Sequence, residues 1–431
     1  MVEVNDKRYK LQLSAIIAFT YFAYVTKFIE SFNYNTLGPT LNDLQHSLAV
    51  DNVQISYLFI TRAGLYFLGA IFCNYILMFT KMLNFNKLND LSWMDVHMGF
   101  TPQMSKLWEV LLLQSMFGFV SGGIDIASNV LMLEMWQKES NRYLQGVHLC
   151  YAIGATAAPL VSSQFLEYQN SNNSSLFYFR TLKFDKKGAE NSQLEIPFAI
   201  TGITAIIAAI IIFAFEIMKP YKIPERCLTR KNDENCTYYV TFVTIAALMS
   251  CGYPGLELNT FGYLPTFLTR INLGISDQES SFMTATMAAA YMSLRIIGVF
   301  VANKMKTTII LGTSFVVVVI ANLLILFVGA NSYSLMWPCL ILLGLGFSMV
   351  LPSLFTYSEE RIDVTNAIAG LFIFASSGIP STSPLLIGKL IKTEPLVFCY
   401  LNVSLAIAVL LLFIAATFLD FWKHKFLKTN N

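Results

Sequence analysis

Charged side chains are scarce in this sequence. Lys, Arg, Asp and Glu make up 13% of the 431 residues, whereas 55% are hydrophobic and the mean hydropathy is +0.55. A soluble domain has too little interior to bury so many apolar side chains. The formal net charge of +2 gives no sign of a nucleic-acid partner. The composition therefore predicts an all-α membrane protein with the lipid bilayer as its solvent.

Cysteine pairs and catalytic motifs are also lacking. None of the seven Cys forms a CxxC pair, and five of them lie in apolar runs, so we expect neither a disulfide framework nor a metal site. No P-loop, GxSxG or HExxH is present, which disfavours ATP-driven transport, hydrolysis and enzymatic function in general. The first apolar stretch lacks a convincing cleavage site and is expected to be a retained helix.

Eleven apolar spans can be read directly from the sequence. A run of about 20 apolar residues is long enough to cross a bilayer as a helix. A hydrophilic stretch at 219–236 separates five spans from the following six. The spans are expected near residues 11–32, 53–79, 107–133, 143–166, 196–217, 238–268, 281–303, 307–329, 335–356, 366–390 and 396–419.

Internal repeats account for the missing sixth span of the first half. "LGPTL" (37–41) matches "YLPTF" (263–267), "FGF" (117–119) matches "LGF" (345–347), and "ATAAP" (155–159) matches "PSTSP" (380–384), at offsets of 225 to 228 residues. The same offset aligns the clean span 307–329 with residues 79–101, which contain two Lys, two Asp, three Asn and a His. This polar slot is either an unusual helix shielded by its neighbours or an error in the sequence.

The distribution of basic residues favours twelve crossings. With the polar slot spanning and both termini cytoplasmic, Lys and Arg are in excess on the cytoplasmic side; without it they divide equally. The topology places the sequons at Asn172 and Asn173 outside, where they are candidate glycosylation sites. We predict an N-terminal helix bundle at 1–218, a cytoplasmic linker at 219–237 and a C-terminal helix bundle at 238–431.

Several motifs resemble one family. "LGPTLNDL" (37–44), "GGIDIASN" (122–129), "MWQKES" (135–140) with "LQGVH" (144–148), and "GLELNTFGYLPTF" (255–267) are similar to stretches of the sodium-dependent glucose transporter-like branch of the major facilitator superfamily. That branch is similar to bacterial fucose–proton symporters. The resemblance implies the major facilitator fold, with two pseudo-symmetric six-helix bundles. It also implies alternating-access transport of a sugar or sugar-like solute, with Na⁺ or H⁺ as candidate coupling ions.

The sequence also departs from the family. The polar third slot has no counterpart there, and the usual Gly-Arg of the eighth span is replaced by Leu294–Arg295. Two alternatives to a sugar carrier therefore stay open. The first is a non-transporting sensor or scaffold on a carrier fold, and the second is a carrier of an organic ion or lipid.

One helix face in the fourth span carries the main candidate. Gly118, Gly122, Asp125 and Asn129 follow each other at helical spacing, so the glycines allow a neighbouring helix to approach and the polar pair extends the same stripe. A carboxylate at the membrane centre costs on the order of 3 kcal/mol on insertion scales. Asp125 and Asn129 are predicted to face a central passage and bind the solute or a coupling ion; the alternative is an interhelical contact that only fixes packing.

The second half and the fifth span supply further candidates. Pro254 and Gly255 predict a helix break near the midplane, with Glu257 and Asn259 just beyond it as solute-binding residues. The alternative places Glu257 at the outer mouth as a solvated or salt-bridged group. In the fifth span, His148 is either a solute or proton-relay residue or a packing histidine, and Gln145 is a candidate hydroxyl partner.

The first span carries an unusual set of polar residues. Lys27 and Glu30 are spaced for an internal ion pair, and Glu30 and Asn33 are also candidates for solute or ion binding. Arg62 is expected to pair with an acid across a helix interface, and Arg295 to help close the cytoplasmic side. Among aromatic residues, Trp337, Phe347 and Tyr357 are candidate sugar-stacking faces, although 35 Phe and 20 Tyr make the choice weak. The expected partners are a small solute such as a hexose and the lipid bilayer of the plasma membrane.

Overall fold

The computed structural model describes residues 2–80, 94–136, 140–166, 193, 195–218, 236–301, 305–362, 366–376 and 378–429. The described elements are helices. They are α1 (Val2–Ser47), α2 (Asn52–Thr80), a 3₁₀ helix (Met94–Gln103), α3 (Leu107–Trp136), α4 (Ser140–Ser162), α5 (Glu195–Met218), α6 (Cys236–Arg270), α7 (Asp277–Val301), α8 (Thr307–Phe327), a short 3₁₀ turn (Gly329–Asn331), α9 (Tyr333–Ser348), α10 (Val350–Glu359), α11 (Asn366–Ser376), α12 (Gly378–Leu390) and α13 (Val397–Thr429).

Every apolar span predicted from the sequence coincides with one of these helices or with a pair of them. The span near 335–356 is divided into α9 and α10, and the span near 366–390 into α11 and α12. Seven helical segments in the described ranges are long and apolar enough to cross a membrane, with α9 and α10 counted together as one of them. Large apolar side chains that face outward, such as Phe72, Phe300, Phe327, Leu411 and Phe418, are at least half exposed, as expected for a lipid-facing surface.

The first helix is longer than its hydrophobic run. The apolar span was expected to end at about Phe32, but α1 continues to Ser47 with Pro39 inside it. Backbone hydrogen bonding and packing against other helices continue the helix after the apolar composition ends. The "LGPTL" segment therefore lies within a helix.

The polar slot near 79–101 is described only at its ends. Helix α2 includes Thr80, residues 81–93 lie outside the described part of the chain, and residues from Met94 onward form the 3₁₀ helix, which packs against α5. Gly99 approaches the backbone of Gly202 in that contact. The twelve-crossing count stays a prediction.

The two halves repeat the same helix-packing contact. In the first half α3 packs on α2, where a methyl group at Gly118 would overlap the carbonyl oxygen of Arg62. In the second half α9 packs on α7, where a methyl group at Gly344 would overlap the carbonyl oxygen of Met287. Gly118 and Gly344 are 226 residues apart, the same offset as Pro39 and Pro265. The repeat therefore preserves close backbone approach in both halves.

Close backbone contacts also join the two halves, and one of them involves the repeated "LGPTL" motif. A methyl group at Gly38 of α1 would lie 2.6 Å from the carbonyl oxygen of Phe261 in α6. A methyl group at Gly388 of α12 would lie 2.6 Å from Ser56 Oγ and 2.7 Å from the carbonyl oxygen of Asn52, both in α2. The two halves thus contact each other through α1 with α6 and α2 with α12.

Candidate functional site

An ionic cluster lies inside the N-terminal half. The Lys27 ammonium donates to Glu30 Oε2 at 2.9 Å and also to Asp125 Oδ1, and the Tyr66 hydroxyl donates to Asp125 Oδ2 at 2.5 Å. Lys27 and Glu30 are buried, whereas the Asp125 side chain keeps 24% of its surface exposed. We call Lys27, Glu30, Tyr66 and Asp125 the acid–lysine cluster. It joins α1, α2 and α3.

The glycine stripe of α3 positions this cluster. Methyl groups at Gly118 and Gly122 would overlap the carbonyl oxygens of Arg62 and Tyr66, so the absence of side chains is what lets α2 approach so closely. Asp125, almost one turn beyond Gly122, reaches the Tyr66 hydroxyl across the same contact. The predicted glycine face and the predicted Lys27–Glu30 ion pair are both present. Asp125 forms a second ion pair with the same lysine.

A second polar cluster lies inside the C-terminal half. The Tyr291 hydroxyl donates to Glu257 Oε1 at 2.8 Å, and the Arg295 guanidinium lies 4.2 Å from the centre of the Tyr291 ring. Arg295 Nε donates to the Ser348 carbonyl oxygen at 2.9 Å. We call Glu257, Tyr291 and Arg295 the Glu257 cluster. All three are buried, so Glu257 is not a solvated group at the outer mouth.

The helix break predicted before Glu257 is absent. Helix α6 continues from Cys236 to Arg270 through both Pro254 and Pro265. A proline removes only one backbone donor, which a membrane helix tolerates when its neighbours satisfy the freed group. Gly255 serves packing instead, because a methyl group there would overlap the side chain of Ile379. Glu257 is therefore presented by a continuous helix rather than by a broken one.

Residues between the two clusters link them across the boundary between the halves. Arg295 Nη1 in α7 donates to the carbonyl oxygen of His148 in α4 at 2.8 Å. Tyr34 and Tyr151 each lie within electrostatic range of both Glu30 and Glu257. We call the two clusters together with Tyr34, Tyr151 and His148 the polar axis. Among the predicted site residues, this axis contains Lys27, Glu30, Asp125, His148, Glu257 and Arg295.

The predicted amide residues supply polar atoms without partners. Among the described residues, no hydrogen-bond partner is found for either side-chain atom of Asn33, for Gln145 Oε1, for Asn129 Oδ1 or for Asn259 Nδ2. Asn259 Oδ1 accepts from Ser383 Oγ at 2.7 Å, so Asn259 binds α12 with its other end. Buried polar atoms are normally paired, because an unpaired one retains its desolvation cost. Unpaired amide atoms of this kind can donate to or accept from the hydroxyl groups of a ligand.

The expected acidic partner of Arg62 is not found in the part of the chain that the structure describes. Arg62 Nη1 donates to the Tyr34 carbonyl oxygen at 3.3 Å, and its guanidinium lies 3.9 Å from the centre of the Tyr34 ring. The Phe59 ring lies 5.5 Å away. Aromatic stacking stabilises this buried arginine, and the nearby carboxylates of α1 and α3 are already paired with Lys27.

Tyrosine hydroxyls are the site residues that the sequence did not identify. Tyr34, Tyr66, Tyr151 and Tyr291 all belong to the polar axis, but 20 Tyr in the chain gave no reason to choose them. The only usable signal is the four-residue spacing that puts Tyr66 on the same α2 face as Arg62. Of the aromatics preferred from the sequence, Phe347 borders the Glu257 cluster, because its ring packs 6.0 Å from Tyr253, a neighbour of Glu257. The Tyr357 ring instead lies beneath Arg361.

Two other predicted features lie away from the axis. The candidate glycosylation residues Asn172 and Asn173 fall outside the described residues. A cleft of about 490 Å³ opens between α2, α6 and α11, and its lining is almost wholly apolar. Its lining residues are Gly64, Phe67, Thr244, Ala247, Leu248, Cys251, Leu371, Phe374, Ala375 and Gly378. None of the predicted binding residues contributes to this cleft.

Comparison with known sequences identifies the family to which the chain belongs. The family model described as Major Facilitator Superfamily matches residues 23–384. Sodium-dependent glucose transporter 1 of Danio rerio is 23% identical over 373 residues, covering 83% of this chain and 61% of the relative. The protein of the same name from Homo sapiens is 20% identical over 390 residues, covering 87% of this chain and 74% of the relative. This chain thus spans about three fifths of the length of the fish relative.

Solved structures share the fold. A D-xylose–proton symporter superposes with a TM-score of 0.68 at 10% identity, covering 91% of this chain and 97% of the symporter. A single-substitution variant of the nucleoside transporter NupG superposes with a TM-score of 0.64 at 14% identity, covering 92% of this chain and 99% of the transporter. Together with the family match, these comparisons confirm the fold class and the family resemblance expected from the sequence motifs.

Proposed function

Because the chain belongs to the major facilitator superfamily, we propose that it is a secondary transporter that moves a sugar or sugar-like small solute by alternating access. The chain is a multi-pass membrane protein with the fold of solute transporters. The names of its relatives describe glucose transport. A hexose is therefore the solute we favour, and we expect no enzymatic activity.

The polar axis is the observation that carries this proposal. It brings carboxylates and tyrosine hydroxyls of both halves to the boundary between them, together with Arg295 of the C-terminal half. Transporters of this kind bind their solute near the midplane, at the interface of two repeats that rock against each other. The unpaired amide of Asn33 and the unpaired Oε1 of Gln145 supply a donor and acceptors that suit sugar hydroxyls.

Contacts between the two halves, at the end of the molecule where α1 ends, support an alternating-access cycle. Asn42 of α1 donates to Asp277 Oδ1 at 2.7 Å and to Thr269 Oγ1 at 3.3 Å, next to the close approach of Gly38 to α6. With the cytoplasmic N-terminus favoured by the basic-residue distribution, α1 runs outward and this contact lies on the external side. We propose that it is an outer gate, closed in this conformation.

Asp125 is our candidate for ion coupling, because it is the partly exposed carboxylate of a charged cluster whose other acid, Glu30, is buried. An acid in contact with water inside a carrier can exchange a proton or a cation during the cycle. Residues Glu257, Asn259, His148 and Asn129 are proposed to surround the solute. We place the protein in the plasma membrane with both termini cytoplasmic.

Uptake into proteoliposomes tests the proposal. Radiolabelled glucose should enter vesicles containing the purified chain faster than protein-free vesicles, and unlabelled hexoses should compete. Competition by organic ions or lysolipids alone would favour a different cargo. Absence of uptake for the whole panel, with correctly folded protein, would favour a non-transporting sensor or scaffold.

A further inference from the structure

The acid–lysine cluster contains an internal cation at the place where a coupling ion would bind. The Lys27 ammonium lies between two carboxylates, at 2.9 Å from Glu30 Oε2 and in direct contact with Asp125 Oδ1. The second oxygen of Asp125 accepts the Tyr66 hydroxyl at 2.5 Å. A pair of carboxylates with a phenol oxygen is an oxygen-rich set of the kind that hard monovalent or divalent cations prefer. In this chain an amine on the same molecule fills that set.

We infer that the Lys27 ammonium occupies the cation position between Glu30 and Asp125, so that this protein does not bind Na⁺ there. The inference deepens the proposed function by assigning the coupling specificity of that site. The names of the relatives state sodium dependence. We expect this chain to differ from that property, because Lys27 fills the position between the two carboxylates.

Geometry and charge explain why Na⁺ is excluded. Lys27 is 3% exposed and Glu30 is 4% exposed, so both charges lie in a medium that screens poorly. A Na⁺ ion shared by the same oxygens would lie within contact distance of the ammonium, and like charges repel strongly there. Lys27 is held by α1, the helix that also carries Glu30, and it cannot leave the cluster without leaving the buried Glu30 and the partly exposed Asp125 unpaired.

The cluster still has one carboxylate more than it has ammonium groups. One further positive charge neutralises it, and a proton on either carboxylate supplies that charge without displacing Lys27. Besides its own member Tyr66, the cluster is faced by Tyr34 of α1 and by Tyr151 and His148 of α4, with Arg295 of α7 beyond His148. Among these, the fixed positive charge of Arg295 also opposes entry of a metal cation.

Thermal unfolding of the purified full chain in detergent tests the inference without requiring transport. The Tm of the wild type should be the same in NaCl and in choline chloride of equal concentration. Lys27→Gln empties the position, so Na⁺ should raise its Tm by about 4 °C or more through binding to the folded state. Lys389→Gln, the same change at an exposed lysine, should show no response to Na⁺.

Adding a carboxylate substitution to Lys27→Gln checks that the Na⁺ response arises in the cluster. Lys27→Gln/Asp125→Asn should lose the response. If Lys27→Gln cannot be purified, Lys27→Gln/Glu30→Gln removes one charge of each sign, keeps Asp125 and should gain the response. A Na⁺-dependent Tm in the wild type would overturn the inference. So would the absence of a response in every Lys27 variant that folds, or failure of both variants to fold even in Na⁺.

The outcome also separates this inference from the proposed function. A Na⁺ response gained by Lys27→Gln, with no hexose uptake by the wild type, would support the cation assignment and refute sugar transport. Hexose uptake by the wild type that requires Na⁺ would support sugar transport and refute the cation assignment.

Discussion

Arg295 in the C-terminal half donates a hydrogen bond from Nη1 to the carbonyl oxygen of His148 in the N-terminal half at 2.8 Å, while its Nε donates to Ser348 of its own half. One buried guanidinium therefore connects the two bundles. A lysine has a single ammonium and cannot make the same forked contact.

We predict that Arg295→Lys lowers the initial rate of hexose uptake about tenfold, since losing one charge-assisted hydrogen bond costs about 1.5 to 3 kcal/mol. Arg361→Lys is the matched control. Arg361 also lies over a tyrosine ring, but its contacts are to Asp420, Tyr357, Thr308 and Glu360 within one half. Uptake by this control should stay within about twofold of the wild type. Equal losses in both variants would show that Arg295 has no special role between the halves.

The close approach of α1 to α6 gives a second prediction. A methyl group at Gly38 would lie 2.6 Å from the carbonyl oxygen of Phe261, so Gly38→Ala should prevent the outer gate from closing and reduce uptake by about tenfold or more. Gly64→Ala is the control, because nothing lies within 4 Å of its added methyl group. Both changes replace glycine within a helix, and alanine favours the helix in both. Normal uptake by Gly38→Ala would remove the gate assignment.

Because the Asn33 amide is unpaired, we predict that replacing it weakens solute binding without lowering the stability of the protein. Asn33 is fully buried with no partner for either side-chain atom among the described residues. Asn33→Leu removes an unsatisfied buried polar group, so Tm should stay constant or rise, whereas KM for the solute should rise about tenfold.

Asn322→Leu is the counterpart in α8. Asn322 is buried as well, but its Nδ2 already donates to the Val318 carbonyl oxygen at 2.9 Å. This variant should leave KM unchanged. A lower Tm with an unchanged KM for Asn33→Leu would mean that the amide serves packing rather than solute binding.

The fold was readable from the sequence because the bilayer demands long apolar segments, and each predicted span appears as a helix or as a pair of helices. The glycine stripe in α3 was equally clear, since close helix packing needs small residues at helical spacing. The helix break predicted at Pro254 was wrong. A proline removes one backbone donor, but the sequence does not show whether neighbouring helices satisfy the freed carbonyl group.

Side-chain partners were harder to predict than helices. The sequence paired Lys27 with Glu30 through local spacing, but it could not show that Asp125, 98 residues further on, shares the same ammonium. Arg62 was assigned an acid and instead stacks on Tyr34. Contacts between distant segments depend on helix rotation and packing, and neither composition nor periodicity specifies those.

Transport by Asp125→Asn is the most direct test of the central claim, which is that the acid–lysine cluster couples an ion to solute movement across the polar axis. Removing this carboxylate leaves Lys27 paired with Glu30 alone, so the cluster no longer needs a proton for neutrality. In proteoliposomes with an imposed proton gradient, wild-type protein should accumulate labelled hexose, whereas Asp125→Asn should only exchange it down its own gradient. Gradient-driven accumulation by Asp125→Asn equal to that of the wild type would contradict the account.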